Sequence, residues 1–128
     1  MNITFHSTEN FEKDLHGFDA VTRQKITQHI NQVAQEFVKD KKAFARHARK
    51  PCTVKLSNGY DSSLYSVKVE ANVRVLLTVD DDPIFEQVIV TLMRAVKRSQ
   101  SKEAFGSVLG ILNQHLDSRK AGEGVLIG

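Results

Sequence analysis

The stretch "VKVEANVRVLLTVDDD", Val67 to Asp82, decides the fold. Two runs in which apolar and polar residues alternate meet across Glu70, Ala71 and Asn72, the pattern of two half-buried strands joined by a tight turn. Lys68 and Arg74 interrupt the apolar runs, and register decides where they point, because strand side chains alternate between faces with a period of two. A two-residue loop at Ala71–Asn72 sets Val69 opposite Arg74, which buries a charge or exposes valines. A three-residue connection, Ala71 to Val73, sets Glu70 opposite Arg74, Val69 opposite Val75 and Val67 opposite Leu77. Tyr65, Val67, Val69, Val75, Leu77 and Val79 then share one face, and Ser66, Lys68, Glu70, Arg74, Leu76 and Thr78 the other. The three-residue register is the expected one. A surface salt bridge between Arg74 and Glu70, worth at most about 1 kcal/mol, is the plain account of the second face. The alternative is a basic site in which the Arg74 fork grips a phosphodiester and Lys68 acts as a point charge or proton carrier.

Outward from this hairpin, "CTVKL" (52–56) reads as a strand, "SNGYDSS" (57–63) as a loop, and strands are expected over 64–70, 73–79 and 84–96. Asp80, Asp81 and Asp82 before Pro83 read as a turn rather than as a magnesium site, since Asp and Pro favour turns. Upstream, "NITFH" (2–6) alternates like a strand, and Ser7 or Thr8 can cap a helix with Phe11 and Leu15 inward that stops at Gly17. Asp19 is the expected N-cap of a longer helix whose apolar stripe is Val21, Ile26, Ile30, Val33 and Phe37. A last helix is expected from Ser99 or Ser101, with Phe105, Val108, Leu109, Leu112 and Leu116 inward. The fold class is therefore α+β: an N-terminal strand and helical hairpin packed on a twisted antiparallel sheet, with a closing C-terminal helix and the helices on one sheet face. Residues 1–117 are expected to form a single domain, and 118–128, "SRKAGEGVLIG", a loose tail.

The composition of this 128-residue chain, 41% hydrophobic and 26% charged, is that of an ordinary globular protein rather than a disordered one. No apolar run approaches the roughly 18 residues that span a bilayer, and "MNITFHSTENF" lacks the layout of a secretion signal, so a cytoplasmic location with no membrane partner is expected. Cys52 is the sole cysteine, which leaves no intrachain disulfide. The five histidines are scattered without ligand spacing, so neither a metal nor a cofactor is expected. The net charge of +3 gathers in one place: Lys39, Lys41, Lys42, Arg46, Arg49 and Lys50 stand against Asp40 alone. Cations at a helix end also suit its dipole, but Arg46, Arg49 and Lys50 are equally candidates for a nucleic-acid-facing patch. Tyr60, in a polar loop, is a candidate for stacking on a base or a plain surface residue.

The run "LYSVKVEANVRVLLTVDDDPIFEQVIVTLMRAVKRSQSKEAF" resembles the sheet half of the RelE/ParE superfamily of type II toxins, and "FEKDLHGFDAVTRQKITQHINQV" resembles the helical hairpin of the same family. The resemblance covers about residues 2–106. It implies a compact α+β toxin neutralised by a cognate antitoxin, acting as a homodimer or a toxin–antitoxin hetero-oligomer. RelE-like members cleave mRNA on the ribosome by 2′-OH attack without metal, whereas ParE-like members bind and inhibit DNA gyrase without catalysis. The RelE-like branch is favoured here, with a degenerate RNA-binding relative as a further alternative. Carried onto this chain, the resemblance makes Lys68, Arg74 and Arg98 the catalytic cations, with Arg94 and Lys97 as further phosphate contacts. Phe105 stands near the place of a family tyrosine. It can stack on a base but cannot carry a proton, and its spacing with Val108 and Leu109 also suits a core. Ser66 and Glu70 stand where relatives carry basic residues.

Overall fold

The computed structural model describes residues 2–39, 48–55, 61–82 and 84–118. Strand β1 (Asn2–Ser7) leads into helices α1 (Glu9–His16) and α2 (Ala20–Lys39). Strands β2 (Ala48–Lys55), β3 (Asp61–Glu70), β4 (Val73–Asp82) and β5 (Gln87–Lys97) follow, then a 3-10 turn (Arg98–Gln100) and helix α3 (Ser101–Ser118). They form an α+β structure around one five-stranded sheet in the order β1-β5-β4-β3-β2. From β2 to β5 the sheet is the expected antiparallel meander. The expectation of a wholly antiparallel sheet is corrected at one edge, where β1 pairs with β5 in parallel and the sheet becomes mixed. Parallel pairing needs a long connection between the strands, and the helical hairpin and the meander supply it.

The helix starts follow their capping residues. The Thr8 hydroxyl accepts from the Phe11 N–H at the start of α1, and Asp19 accepts from the Thr22 N–H at 2.7 Å at the start of α2. Phe11, Ile26, Ile30, Val33 and Ala34 are buried by this hairpin against Val67, Val75, Leu77, Val79, Val88 and Val90. Tyr65 and Val69 pack against the same cluster, so all six residues assigned to this face of β3 and β4 lie there. Val21, expected in the stripe, is instead 62% exposed.

The second correction concerns the other face. The closing helix does not join the hairpin but lies on the opposite side, where Ala104 and Val108 bury Leu64, Leu76, Met93 and Val96. An apolar patch of that kind on an open sheet would face water, and α3 covers it. Phe105 is partly buried against this second core, which is the structural one of its two expected roles.

Boundaries moved where local chemistry was overridden by pairing. The three aspartates continue β4, opposite Ile89, Val88 and Gln87, and the turn lies beyond them. There the Asp82 carboxylate accepts from the Phe85 N–H and the Gln87 side chain. β3 begins at Asp61 rather than Leu64, and β2 runs through Pro51 at a register shift between Arg49 and Cys52. Such an irregularity on an edge strand tolerates a residue without an N–H. α3 extends to Ser118, while Arg46, Tyr60 and residues 119–128 lie outside the described residues.

Replacing Thr8 by Ala removes a cap and two side-chain contacts to the Leu92 and Met93 carbonyls. A loss of about 1–2 kcal/mol is expected in urea denaturation. The bonds from Thr22 hold the exposed Asp19 carboxyl below its ordinary value of 3.8. A depressed folded-state pKa contributes stability above the unfolded value that disappears as pH falls through the folded one. The stability advantage of wild type over Asp19→Ala is therefore expected at neutral pH and should vanish in acid below 3.8.

Candidate functional site

Lys68 and Arg74 are direct partners across the β3–β4 ladder, and Val96 is the partner of Arg74 on the other side. Both cations therefore share the face opposite the hairpin, as expected, but α3 lies on that face and the register is a different one. A two-residue turn at Ala71–Asn72 is followed by a bulge between Lys68 and Glu70, so Val67 faces Val75 rather than Leu77. A bulge adds one residue and changes parity locally. Val69 and Glu70 consequently both turn to the hairpin side, Val69 into the first core and Glu70 onto Lys25 of α2 at 2.9 Å. The Glu70 carboxylate holds the Lys25 ammonium above its ordinary pKa, chiefly by that hydrogen bond. The expected Arg74–Glu70 side-chain pair is thus replaced. Arg74 Nη1 instead donates to the backbone carbonyls of Glu70 (2.8 Å), Ala71 (3.2 Å) and Val73 (3.1 Å), pinning the turn. These bonds use one nitrogen of the five-donor fork and leave the Nε and Nη2 hydrogens for other acceptors.

Arg98 joins this corner through its backbone. Its N–H donates to the Asn72 carbonyl at 2.9 Å, so the chain leaving β5 is fastened to the turn that Arg74 pins. Lys68 and Arg98 are exposed and Arg74 half-buried. Lys97, also exposed, is opposite Val73 and shares parity with buried Ala95, so it points to the hairpin side, away from Lys68 and Arg74. Arg49 and Lys50 lie in β2, but their side chains are outside those described.

Arg94 is committed elsewhere. A second bulge, at Met93, sits between Leu76 and Leu77 on the partner strand, and it turns both Met93 and Arg94 toward the α3 side. From there the Arg94 guanidinium reaches Asp14 of α1, Nε to Oδ2 at 2.6 Å and Nη2 to Oδ1 at 3.2 Å. Both side chains are largely buried, at 27% and 17% exposure, and Asp14 Oδ2 also accepts from the Ala95 N–H at 2.9 Å. Asp14 holds the guanidinium even above its ordinary pKa against the cost of burial. Arg94 is therefore a structural clamp first, rather than an open phosphate contact.

Between β5 and α3 lies a cleft of about 200 Å³ lined by Arg94, Val96, Gln100, Glu103, Ala104 and Ser107. It adjoins the corner through Val96, the ladder partner of Arg74. Gln100, Glu103 and Ser107 were not singled out from the sequence. Their signal was there: positions 100, 103 and 107 fall at helical spacing beside Ala104 and Val108, a polar stripe next to the buried one. Among the described residues, Glu103 is the one carboxylate in the lining.

Comparison with family models, curated proteins and solved structures returns no match to this chain.

Asp14→Ala strips the guanidinium and the Ala95 N–H of their acceptor together, whereas Arg94→Ala leaves Asp14 bonded to Ala95. Urea denaturation is expected to show a loss of about 3 kcal/mol for the first and roughly half that for the second.

Proposed function

We propose that this chain is a toxin of the RelE/ParE type, an mRNA endoribonuclease that acts on the ribosome and is held silent by a cognate antitoxin. The observation that carries the reading is the pairing of Lys68 with Arg74 at a sheet corner to which the Arg98 backbone is fastened, beside a polar cleft lined by Glu103. In support stands an α+β chain whose strand, helical hairpin, meander and closing helix follow the order read from the sequence pattern.

In the proposed reaction the RNA 2′-oxygen loses its proton and bonds to the adjacent phosphorus. The bond to the 5′ oxygen breaks, and that oxygen takes up a proton, leaving a 2′,3′-cyclic phosphate and a 5′-hydroxyl end. Negative charge grows on the pentacoordinate phosphorus, and cations fixed before the reaction stabilise it most effectively. Lys68, Arg98 and the unspent Nε and Nη2 of Arg74 take that role. Glu103, on the cleft wall, is the proton acceptor in this scheme. Arg94 positions the wall through its clamp on Asp14, without touching the phosphate.

One observation favours a second reading. Arg74 spends Nη1 on three turn carbonyls, as a residue selected for structure would. A ParE-like toxin that binds gyrase without catalysis needs only the surface of this corner.

Induction in bacteria lacking the antitoxin, followed by mapping of RNA ends, separates the two. Cleavage with 5′-hydroxyl ends is expected, and Arg98→Ala, which removes an exposed side chain but keeps the N–H that holds the turn, should slow it about 100-fold. Intact mRNA together with inhibited gyrase supercoiling selects the second reading. Intact mRNA, active gyrase and unimpaired growth would sink both.

A further inference from the structure

The two edges of the sheet are built differently. β2 carries Arg49, Lys50 and Pro51 and a register shift between Arg49 and Cys52, features that discourage another strand from pairing. β1, "NITFHS", has no Lys, Arg, Asp, Glu or Pro, and it pairs with β5 through all six residues without a shift. Its backbone directions follow from its ends. The Asn2 N–H donates to the Glu86 carbonyl at 3.0 Å and the Thr8 N–H to the Leu92 carbonyl at 3.1 Å, both toward the β5 side. Strand alternation then turns Thr4 and His6 the same way and directs the N–H and C=O groups of Ile3, Phe5 and Ser7 to the outer edge, where no described strand pairs.

Apolar surface gathers along that edge. Phe5, opposite Val90 and therefore on the hairpin face, is 40% exposed. At the start of the strand, Ile84 and Phe85, in the turn whose Glu86 carbonyl holds Asn2, are each 73% exposed.

We propose that β1 pairs antiparallel with β1 of a second copy of this chain, about a two-fold axis through Phe5, joining two five-stranded sheets into one. In this register Phe5 faces its own counterpart, and Ile3 faces Ser7 of the second copy. Outward-facing residues directly opposite one another exchange both backbone bonds, so all three N–H and all three C=O groups of each edge are satisfied. The two Phe5 rings become a cross-strand aromatic pair. Self-pairing suits this edge because it carries no charge to repel its copy, and a two-fold axis requires a surface to complement itself. A charged peptide would find no opposite charge on β1 to recognise. This interface does not depend on the ribonuclease reading.

The test is sedimentation equilibrium of the purified full chain from about 1 to 100 µM, since an interface this small binds weakly. The mass is expected to rise toward twice that of the monomer across this range. Phe5→Lys and Ser7→Pro, the second removing one outward N–H, should each weaken dimerisation at least about tenfold. Val21→Lys, at an exposed apolar residue far from the edge, should not change it. Circular dichroism confirms that each variant is folded, and Ser7→Pro decides if Phe5→Lys is not. A wild type that stays monomeric, including one that gains mass only with an added partner peptide, overturns the proposal. So does a dimer indifferent to the folded edge variants.

Discussion

The structure depends on how the backbone of β5 is satisfied where its neighbour stops. β5 runs eleven residues, but β1 accompanies it only as far as Leu92. Buried backbone groups must find partners, and beyond Leu92 the sheet can supply none on that side. Helix α1 takes over. Thr8 bonds to the Leu92 and Met93 carbonyls while capping its own helix, and Asp14, almost two turns on, accepts the Ala95 N–H. A carboxylate in so enclosed a place needs a cation, and Arg94 provides it. One short helix therefore continues a missing strand, and the position of Arg94, hence one wall of the cleft, follows from that substitution.

Two bulges then sort the charges. At Lys68/Glu70 the extra residue sends Glu70 to Lys25, on the side away from Lys68 and Arg74. At Met93 it sends Arg94 to the α3 side and returns Ala95 to the first core. Without the first bulge, Glu70 would sit beside the cations and cancel them. Without the second, Arg94 would point into the hairpin core, where an unpaired guanidinium is costly.

The sequence was most legible where one rule acted alone. Helix starts at Thr8 and Asp19 followed from capping chemistry, and the shared face of Tyr65, Val67, Val69, Val75, Leu77 and Val79 from period-two alternation. It was least legible where two rules competed. The aspartates of Asp80–Asp82 favour turns individually, yet each is paired in the ladder with β5, two of them opposite Ile89 and Val88, and pairing prevailed. Bulges escape pattern reading because they preserve composition while shifting parity, so cofacial Lys68 and Arg74 were reached through a register one pair out of step. The side of the sheet taken by α3 was implicit in Leu64, Leu76, Met93 and Val96, which no element of the hairpin can reach. That implication required knowing both bulges first.

The corner and the cleft therefore belong to different parts of the stability of the fold. The corner is local: a turn of two residues, pinned by Arg74 and by the Arg98 N–H, holds its cations with little help from distant packing. The cleft is remote in origin. Its strand wall depends on Asp14, eighty residues before Arg94, and its helix wall on the second core under α3. A residue such as Asp14, which does not line the cleft, can thus govern its shape by fixing the geometry of a residue that does. Fold alone does not choose between cleaving RNA and gripping another macromolecule. What distinguishes them here is whether the local cations and the remotely supported carboxylate of Glu103 act on one substrate, since cleavage needs both halves and binding needs only the corner.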